Sequence, residues 1–437
     1  MNEIANLARE AGVVGAGGAG FPTHVKLATA VEIFLVNGAE CEPLLRVDQQ
    51  LSVKYAEQLV RGLELAMQAV GAREGIIAFK EKYKEAITKV GALLRPNMRI
   101  HILKDIYPAG DEVITIWMAT GRRVPPAALP KDVGVAVNNV LTLINLARAV
   151  DEKQPVVTRT LTVAGAVSSP ITVTVPLGTS VRDVVARAGD ITVEQPFFVS
   201  GGPMMGKLMA TLDVPVTKTT GGIIVLPHDN VVIRRHRKPM QDVLSLARAV
   251  CEQCNLCTEL CPRHVIGHEL HPALIVRAAN YRNIGNPSVL LSALTCSECA
   301  ICEQWACPVD ISPMRINQAL KQKFHDEGAR YVGELRKLDP MAEHRLVPVT
   351  RLIARLGIQA YNKPAPLDES PCLPTEVVLM LRQHVGSPAK PVVQIGDTVR
   401  TGDLVADLPA EVLGALLHAS IDGRVTEITN QFIKITH

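Results

Sequence analysis

Eight of the ten cysteines in this 437-residue chain fall into two tetrads within one short stretch. Cys251, Cys254, Cys257 and Cys261 precede Pro262, and Cys296, Cys299, Cys302 and Cys307 precede Pro308. Three thiolates at x-x spacing can wrap one face of a four-iron cube, and a fourth from elsewhere closes it. In duplicated runs of this kind the distant Cys-Pro closes the other cube. Cys251, Cys254, Cys257 and Cys307 are therefore expected to hold one [4Fe–4S] cluster, and Cys296, Cys299, Cys302 and Cys261 the other. The second run departs slightly, with four residues rather than three before Cys307. A disulfide framework belongs to small secreted chains, and structural zinc usually takes two C-x-x-C pairs per ion rather than overlapping triplets. The pattern means electron transfer.

Length allows about three domains with real apolar cores. The 46 basic residues nearly balance 43 acidic ones, a formal charge of +3 that argues against nucleic acid as the main partner. The start, MNEIANLAREAG, lacks the basic-then-apolar layout of a signal peptide. No apolar run approaches the roughly 18 residues of a membrane helix, so no transmembrane segment is expected. Thiols in quantity without an export signal suggest a reducing, cytoplasmic setting.

Up to about residue 150, the runs VEIFLV, GIIAF, RIHIL and VGVAV read as buried strands, separated by helix-like stretches at 48–71 and 81–94. Such alternation implies a parallel sheet covered by helices on both faces. A β-rich piece follows at about 155–230 with one short helix near 180–188. The basic run from Arg234 to Pro239 reads as a solvated linker, and about 240–335 is helical and carries the cysteines. From about 385 short strands alternate with turn dipeptides, as in a small β sandwich or barrel.

Near the start, GVVGAGGAGFPTHVK places Gly12, Gly15, Gly17, Gly18 and Gly20 close together, so bare backbone could close on a phosphate or an isoalloxazine edge. The spacing fits neither the dinucleotide fingerprint nor a P-loop, and a flexible connector is the plainer alternative. Three further segments, VNGAECEP at 36–43, YPAGDE at 107–112 and VNNVLTL at 137–143, follow in order. With the glycine run they resemble the FMN- and NADH-binding subunit of respiratory complex I, and still more its relative, the RnfC component of the Rnf complex. The resemblance continues through a middle module similar to a soluble-ligand-binding β-grasp domain, with its GGPMMG turn, and through the twin cysteine runs of the Rnf branch.

The segment from 388 to 425 resembles the barrel-sandwich hybrid that RnfC proteins carry at their N-terminus, here at the other end. That order is similar to the cobalamin reductases of propanediol-utilisation microcompartments. Lipoyl and biotinyl carriers share the fold but need a hairpin lysine, and 392–433 contains none. A docking or packing module is expected rather than a swinging arm. The implied organisation is a multidomain α/β and α+β chain. Residues 1–152 would form a Rossmann-like FMN/NADH domain, 153–232 the β-grasp domain and 239–335 a helical two-cluster ferredoxin-like domain. A linker with a helix at 336–384 would lead to the barrel-sandwich hybrid at 385–437.

Carried over position by position, the resemblance implies a flavin site. Gly15, Gly17, Gly18 and Lys26 would let flavin and nucleotide approach the backbone, with the ammonium near phosphate. Asn37, Glu40 and Glu42 would hydrogen-bond the isoalloxazine and ribityl groups. Gly110, Asp111 and Glu112 would lie beside flavin and nicotinamide, the two acids as candidate catalytic groups. Asn138, Asn139 and Thr142 match the phosphate-binding motif, although an Asn pair after a strand could also cap a helix. Complex I carries arginine where this chain has Ala16, tryptophan where it has Leu27, and aromatics after Glu112 that are missing here. NADH is therefore less firmly implied than FMN. Cys41 and Cys372 read as packing thiols. His264, His268 and His271 could reach a metal or a corrinoid, or simply form a polar face. The basic amphipathic stretch 345–357 could meet a membrane surface but more simply packs on the cluster region.

The implied function is NADH-dependent reduction of cobalamin through FMN and two [4Fe–4S] clusters. An adenosyltransferase and a microcompartment shell protein are the implied partners, with a location inside the microcompartment and an oligomer both conceivable. Two alternatives remain: an Rnf-like protein serving ferredoxin or a membrane complex, and a non-enzymatic conduit that grips corrinoid or shell.

Overall fold

The computed structural model describes residues 2–281 and 287–437. The four expected strands form one parallel sheet in the order Met98–Leu103, Glu74–Lys80, Ile33–Gly38, Val135–Asn139. Along Ile33–Gly38 the side chains alternate between two cores. Phe34 and Val36 join Leu59, Leu63 and Leu143 on one face, while Ile33 and Leu35 join Val113, Ile114 and Ile116 on the other. Burial on both faces is why the inner runs Ile33–Val36 and Ile76–Phe79 are apolar without interruption, whereas the edge strand Met98–Leu103 carries Arg99 and His101. Helices Ala56–Val70 and Val140–Asp151 cover the first face. They meet closely at Gly62, where any Cβ would lie 2.1 Å from the Leu143 carbonyl oxygen. The expected helix at 48–71 is two helices, Val47–Lys54 and Ala56–Val70, meeting at Tyr55.

The middle module is a six-stranded sheet built on Thr158–Gly165, Ile171–Pro176 and Gly222–Pro227, with helix Val181–Ala186 against it. Strand Pro196–Ser200 lies beside Gly222–Pro227, and Leu367–Asp368 adds an edge from the far linker.

The basic run is not a solvated linker. It lies largely within helix Val231–Arg237, capped by Asn230. Arg235 on it is only 3% exposed and donates to the carbonyl and side-chain oxygens of Gln304 while pairing with Asp310. The helix thus clamps the second cysteine run, and its fixed partners outweigh the solvation that composition alone suggests.

Helices Met240–Val250, Pro272–Asn280 and Pro313–Asp326 surround the cysteine segments. Helix Val349–Arg355, inside the basic amphipathic stretch, buries Val349, Leu352 and Ile353 against Ile301, Cys302 and Met314. Its apolar face is covered by protein. The last sheet pairs Phe432–Thr436 with Gly423–Ile428 on one side and with Glu376–Met380, from before residue 385, on the other. Val377, Leu379 and Ile433 share a core with Ala5 and Ala8 of the first helix, Glu3–Glu10, so the C-terminal module packs onto the N-terminal one.

Candidate functional site

The four flavin motifs converge at the carboxyl end of the parallel sheet, where open α/β folds place their ligands. Lys26 donates to the Val137 carbonyl at 2.8 Å and stands 3.4 Å from Glu112. Asn37 donates to the Gly110 carbonyl at 2.8 Å. The Ala16 amide donates to Thr142 Oγ1 at 2.9 Å, and a Cβ on Gly17 would lie 3.0 Å from Asn139. A Cβ on Gly18 would meet nothing within 4 Å, so the loop presents bare backbone to open space there. Asn138, near the carboxyl end of strand Val135–Asn139, is buried with its amide nitrogen unpartnered among the described residues. A cradle without side chains and a free buried donor fit a phosphate-bearing flavin.

Several candidate residues are already engaged. Glu40 accepts from the amides of Val47, Asp48 and Gln49 and so caps helix Val47–Lys54. Glu42 accepts from the amides of Met204 and Met205 at 2.9 and 2.8 Å, tying the second motif to the GGPMMG turn, and burial pushes its carboxyl up to about 7. Asp111 caps helix Glu112–Thr120 through one oxygen and pairs with Arg263 at 2.9 Å through the other. Asn139 caps helix Val140–Asp151 and donates to Asp48 at 2.7 Å. Gly15, Gly17, Gly18, Lys26, Gly110, Glu112 and Asn138 carry fewer such duties. Cys41 lies against Gly110, and burial pushes its thiol to about 12.

The cysteines lie close to one another across the two runs. The thiol of Cys257 is raised to about 12 by burial, with further contributions from Cys307, Cys254 and Cys251. That of Cys302 is raised by burial, with further contributions from Cys296, Cys299, Cys261 and Cys257. Cys261, Cys296, Cys299 and Cys302 line one cavity with Leu270 and Met314. The duplication extends to the backbone. Gln253 and Asn255 in the first run, and Glu298 and Ala300 in the second, take positive φ at equivalent positions. The amides of Glu298 and Ile311 point at the sulfurs of Cys296 and Cys307, at 3.4 and 3.2 Å. Buried thiols that must lose protons, with amides aimed at sulfur, suit cluster thiolates. Among the described residues no three of His, Cys, Asp or Glu close round a single ion. A cube with one iron per thiolate needs a wider ring.

The histidines serve the fold. His268 bonds the Val124 carbonyl at 2.9 Å, and the rings of His264 and His271 pack edge to face 4.6 Å apart. Cys372, half-buried beside Arg187, is likewise part of a local contact.

Residues that sequence reasoning misses join these parts. Tyr107 donates through its hydroxyl to the Cys299 carbonyl at 2.8 Å, fully buried. Arg263, two residues after Cys261, carries the Asp111 pair. The flavin motif YPAGDE and the second cysteine run therefore meet inside the protein rather than across solvent. Asp48 and Arg159 lie beneath the glycine loop. A charged residue at an inward strand position is the one available sign for Arg159.

Family descriptions match in the same order. Residues 8–148 match the Nuo51 FMN-binding domain and 160–208 the SLBB domain. Residues 250–312 match a 4Fe-4S dicluster domain and 359–437 the RnfC barrel sandwich hybrid domain. The chain is 59% identical to cobalamin reductase PduS of Salmonella typhimurium over 99% of its own length and 96% of that protein. It is 58% identical to the PduS of Citrobacter freundii over 98% of its length and 95% of that protein. A component of the Na(+)-translocating ferredoxin:NAD(+) oxidoreductase complex of Acetobacterium woodii is 36% identical over 60% of this chain and 58% of that one. Likeness at the level of the two PduS proteins, over nearly the whole of both chains, places this protein in the cobalamin reductase PduS family.

Proposed function

We propose that this chain is an NADH-dependent reductase that moves electrons from FMN through two [4Fe–4S] clusters to the cobalt of cobalamin, for regeneration of adenosylcobalamin. The observation that carries the reading is the buried junction of the third flavin motif with both cysteine runs, with the second at Tyr107–Cys299 and with the end of the first at Asp111–Arg263. When bound, FMN would accept one hydride, two electrons together, while iron–sulfur clusters would carry single electrons, the conversion that a one-electron metal acceptor requires. The chain's own groups bind and orient. Gly15, Gly17, Gly18 and Asn138 offer backbone and amide to the phosphate-bearing ligand, with the Lys26 ammonium nearby. Glu112, partly exposed at the mouth of the site, is the acid best placed to meet the nicotinamide. Asp111 is better assigned to holding the helix and Arg263 than to chemistry, because both of its oxygens are engaged. Cys251, Cys254, Cys257 and Cys307 would hold one cluster and Cys296, Cys299, Cys302 and Cys261 the other.

Residues 1–152 are assigned to flavin and NADH, 153–232 to the β-grasp module and 239–335 to the clusters. The C-terminal module packs against the N-terminal domain. Family membership supports cobalamin as acceptor over the Rnf-like reading, since the Rnf relatives match only about three fifths of the chain. An adenosyltransferase as the consumer of Co(I), a shell protein as neighbour and a microcompartment as location follow from the same resemblance. Among the described residues no helix is long and apolar enough to cross a membrane. Anaerobic NADH oxidation with cobalamin, ferredoxin and ferricyanide offered in parallel tests the proposal. Preference for ferredoxin with no corrinoid reduced would transfer the protein to the Rnf-like role.

A further inference from the structure

Arg159 lies on strand Thr158–Gly165 of the middle module, yet one nitrogen of its guanidinium reaches the N-terminal domain. It is 5% exposed and donates three ways: to the Ala16 carbonyl at 2.8 Å, to Lys218 at 2.9 Å and to Thr220 at 2.6 Å, all backbone oxygens. Among the described residues none of its hydrogen bonds goes to a carboxylate. Asp48 is the acid whose field reaches it, and burial is strong enough to bring the guanidinium down to about 10. A guanidinium sunk among carbonyls is a costly way to gain stability, since apolar residues of similar volume often do as well. Its aim is specific. Ala16 immediately precedes Gly17 and Gly18, and its peptide is gripped on both sides, the carbonyl by Arg159 and the amide by Thr142 Oγ1. Four residues earlier, buried Lys218 donates to the Gly12 carbonyl at 2.7 Å and to the Leu416 carbonyl of the C-terminal module at 2.9 Å.

We infer that Arg159 is a positioning residue for the flavin loop: it fixes the Ala16 peptide from the neighbouring module so that the bare backbone at Gly17 and Gly18 is preset for the phosphate-bearing flavin. The loop has five glycines between 12 and 20 and is costly to order alone. An anchor built before binding removes that cost from the binding step. The middle module thereby contributes to flavin affinity without touching flavin.

The inference rests on the flavin reading above, and the test separates the two. Full-length wild type, Arg159→Lys and Arg159→Met are purified anaerobically, stripped of flavin and titrated with FMN by fluorescence, with iron content and melting temperature measured on the same samples. Arg159→Met should bind FMN at least about tenfold more weakly with iron unchanged. Arg159→Lys should fall between, because it keeps the charge but loses the planar fork. Folded Arg159→Met binding FMN as tightly as wild type overturns the inference and leaves the flavin reading intact. If Arg159→Met does not fold, Arg159→Lys decides: threefold or greater weakening supports the inference, and unchanged affinity overturns it. A wild-type chain that takes up no FMN overturns both and needs no variant to reveal it.

Discussion

The Tyr107 hydroxyl donates to the Cys299 carbonyl oxygen at 2.8 Å, one buried hydrogen bond between the third flavin motif and the second cysteine run. Neither group reaches water, so Tyr107→Phe leaves a buried acceptor without its donor. The expected cost is about 1–3 kcal/mol of stability, with FMN affinity within twofold of wild type. Denaturant unfolding checks it, and an unchanged midpoint would show that the two regions are held together by other contacts.

The ligand crossing is open to direct test. Cys254→Ala should disturb the cluster closed by Cys307, whereas Cys261→Ala should disturb the one held by Cys296, Cys299 and Cys302. Electron paramagnetic resonance of the reduced variants distinguishes them. Loss of the same cluster in both would contradict the crossing.

Gly17 and Gly18 make separable predictions. At Gly18 an added methyl meets no protein atom within 4 Å. Gly18→Ala should therefore leave the melting temperature within a degree or two while FMN affinity falls about tenfold or more. At Gly17 the methyl would press on Asn139 at 3.0–3.2 Å and so disturb the cap of helix Val140–Asp151 as well. Stability and flavin should fall together there, by roughly 1 kcal/mol in stability. Full flavin retention in Gly18→Ala would mean that the loop is only a connector.

Lys218 predicts a pH effect. Burial takes its amine from the ordinary 10.5 to about 7. Between those values the unfolded chain binds a proton that the folded chain does not, so this residue makes stability rise with pH across that window and fall towards its lower end. The slope it contributes is at most about 1.4 kcal/mol per pH unit. Lys218→Met should be less stable, through two unpaired carbonyls, yet show a flatter dependence between pH 7 and 9. Parallel curves for variant and wild type would contradict the depressed amine.

Much of this organisation is legible locally. The parallel strands announce themselves because both faces are buried, as at Ile33–Gly38, and the cysteine spacing carries its chemistry on its face. What composition does not convey is where a charged side chain goes once the chain folds. Arg235 sits in a run that reads as solvent-facing, yet its partners Gln304 and Asp310 lie about seventy residues on. Resemblance puts Glu40, Glu42, Asp111 and Asn139 near flavin. Their caps and ion pairs emerge only when helices begin where they do. Asp48 and Lys218 give no local signal, and Arg159 only its charge at an inward strand position, because their partners Asn139, Leu416 and Ala16 are distant in sequence. Strand Glu376–Met380 reads as linker since its partner, Phe432–Thr436, is the last strand of the chain.

The central claim is reduction of corrinoid cobalt with NADH, and the absorption spectrum of cobalamin under anaerobic turnover tests it most directly. Cob(I)alamin is a stronger reductant than NADH, so the second reduction proceeds in quantity only if its product is trapped. With NADH and free cobalamin alone, the protein should give Co(II) readily and Co(I) slowly or in low yield. Adding an adenosyltransferase and ATP should yield adenosylcobalamin steadily, and Cys299→Ala should depress that yield. Rapid NADH consumption with ferredoxin, and no change in the corrinoid spectrum with or without the transferase, would contradict the account.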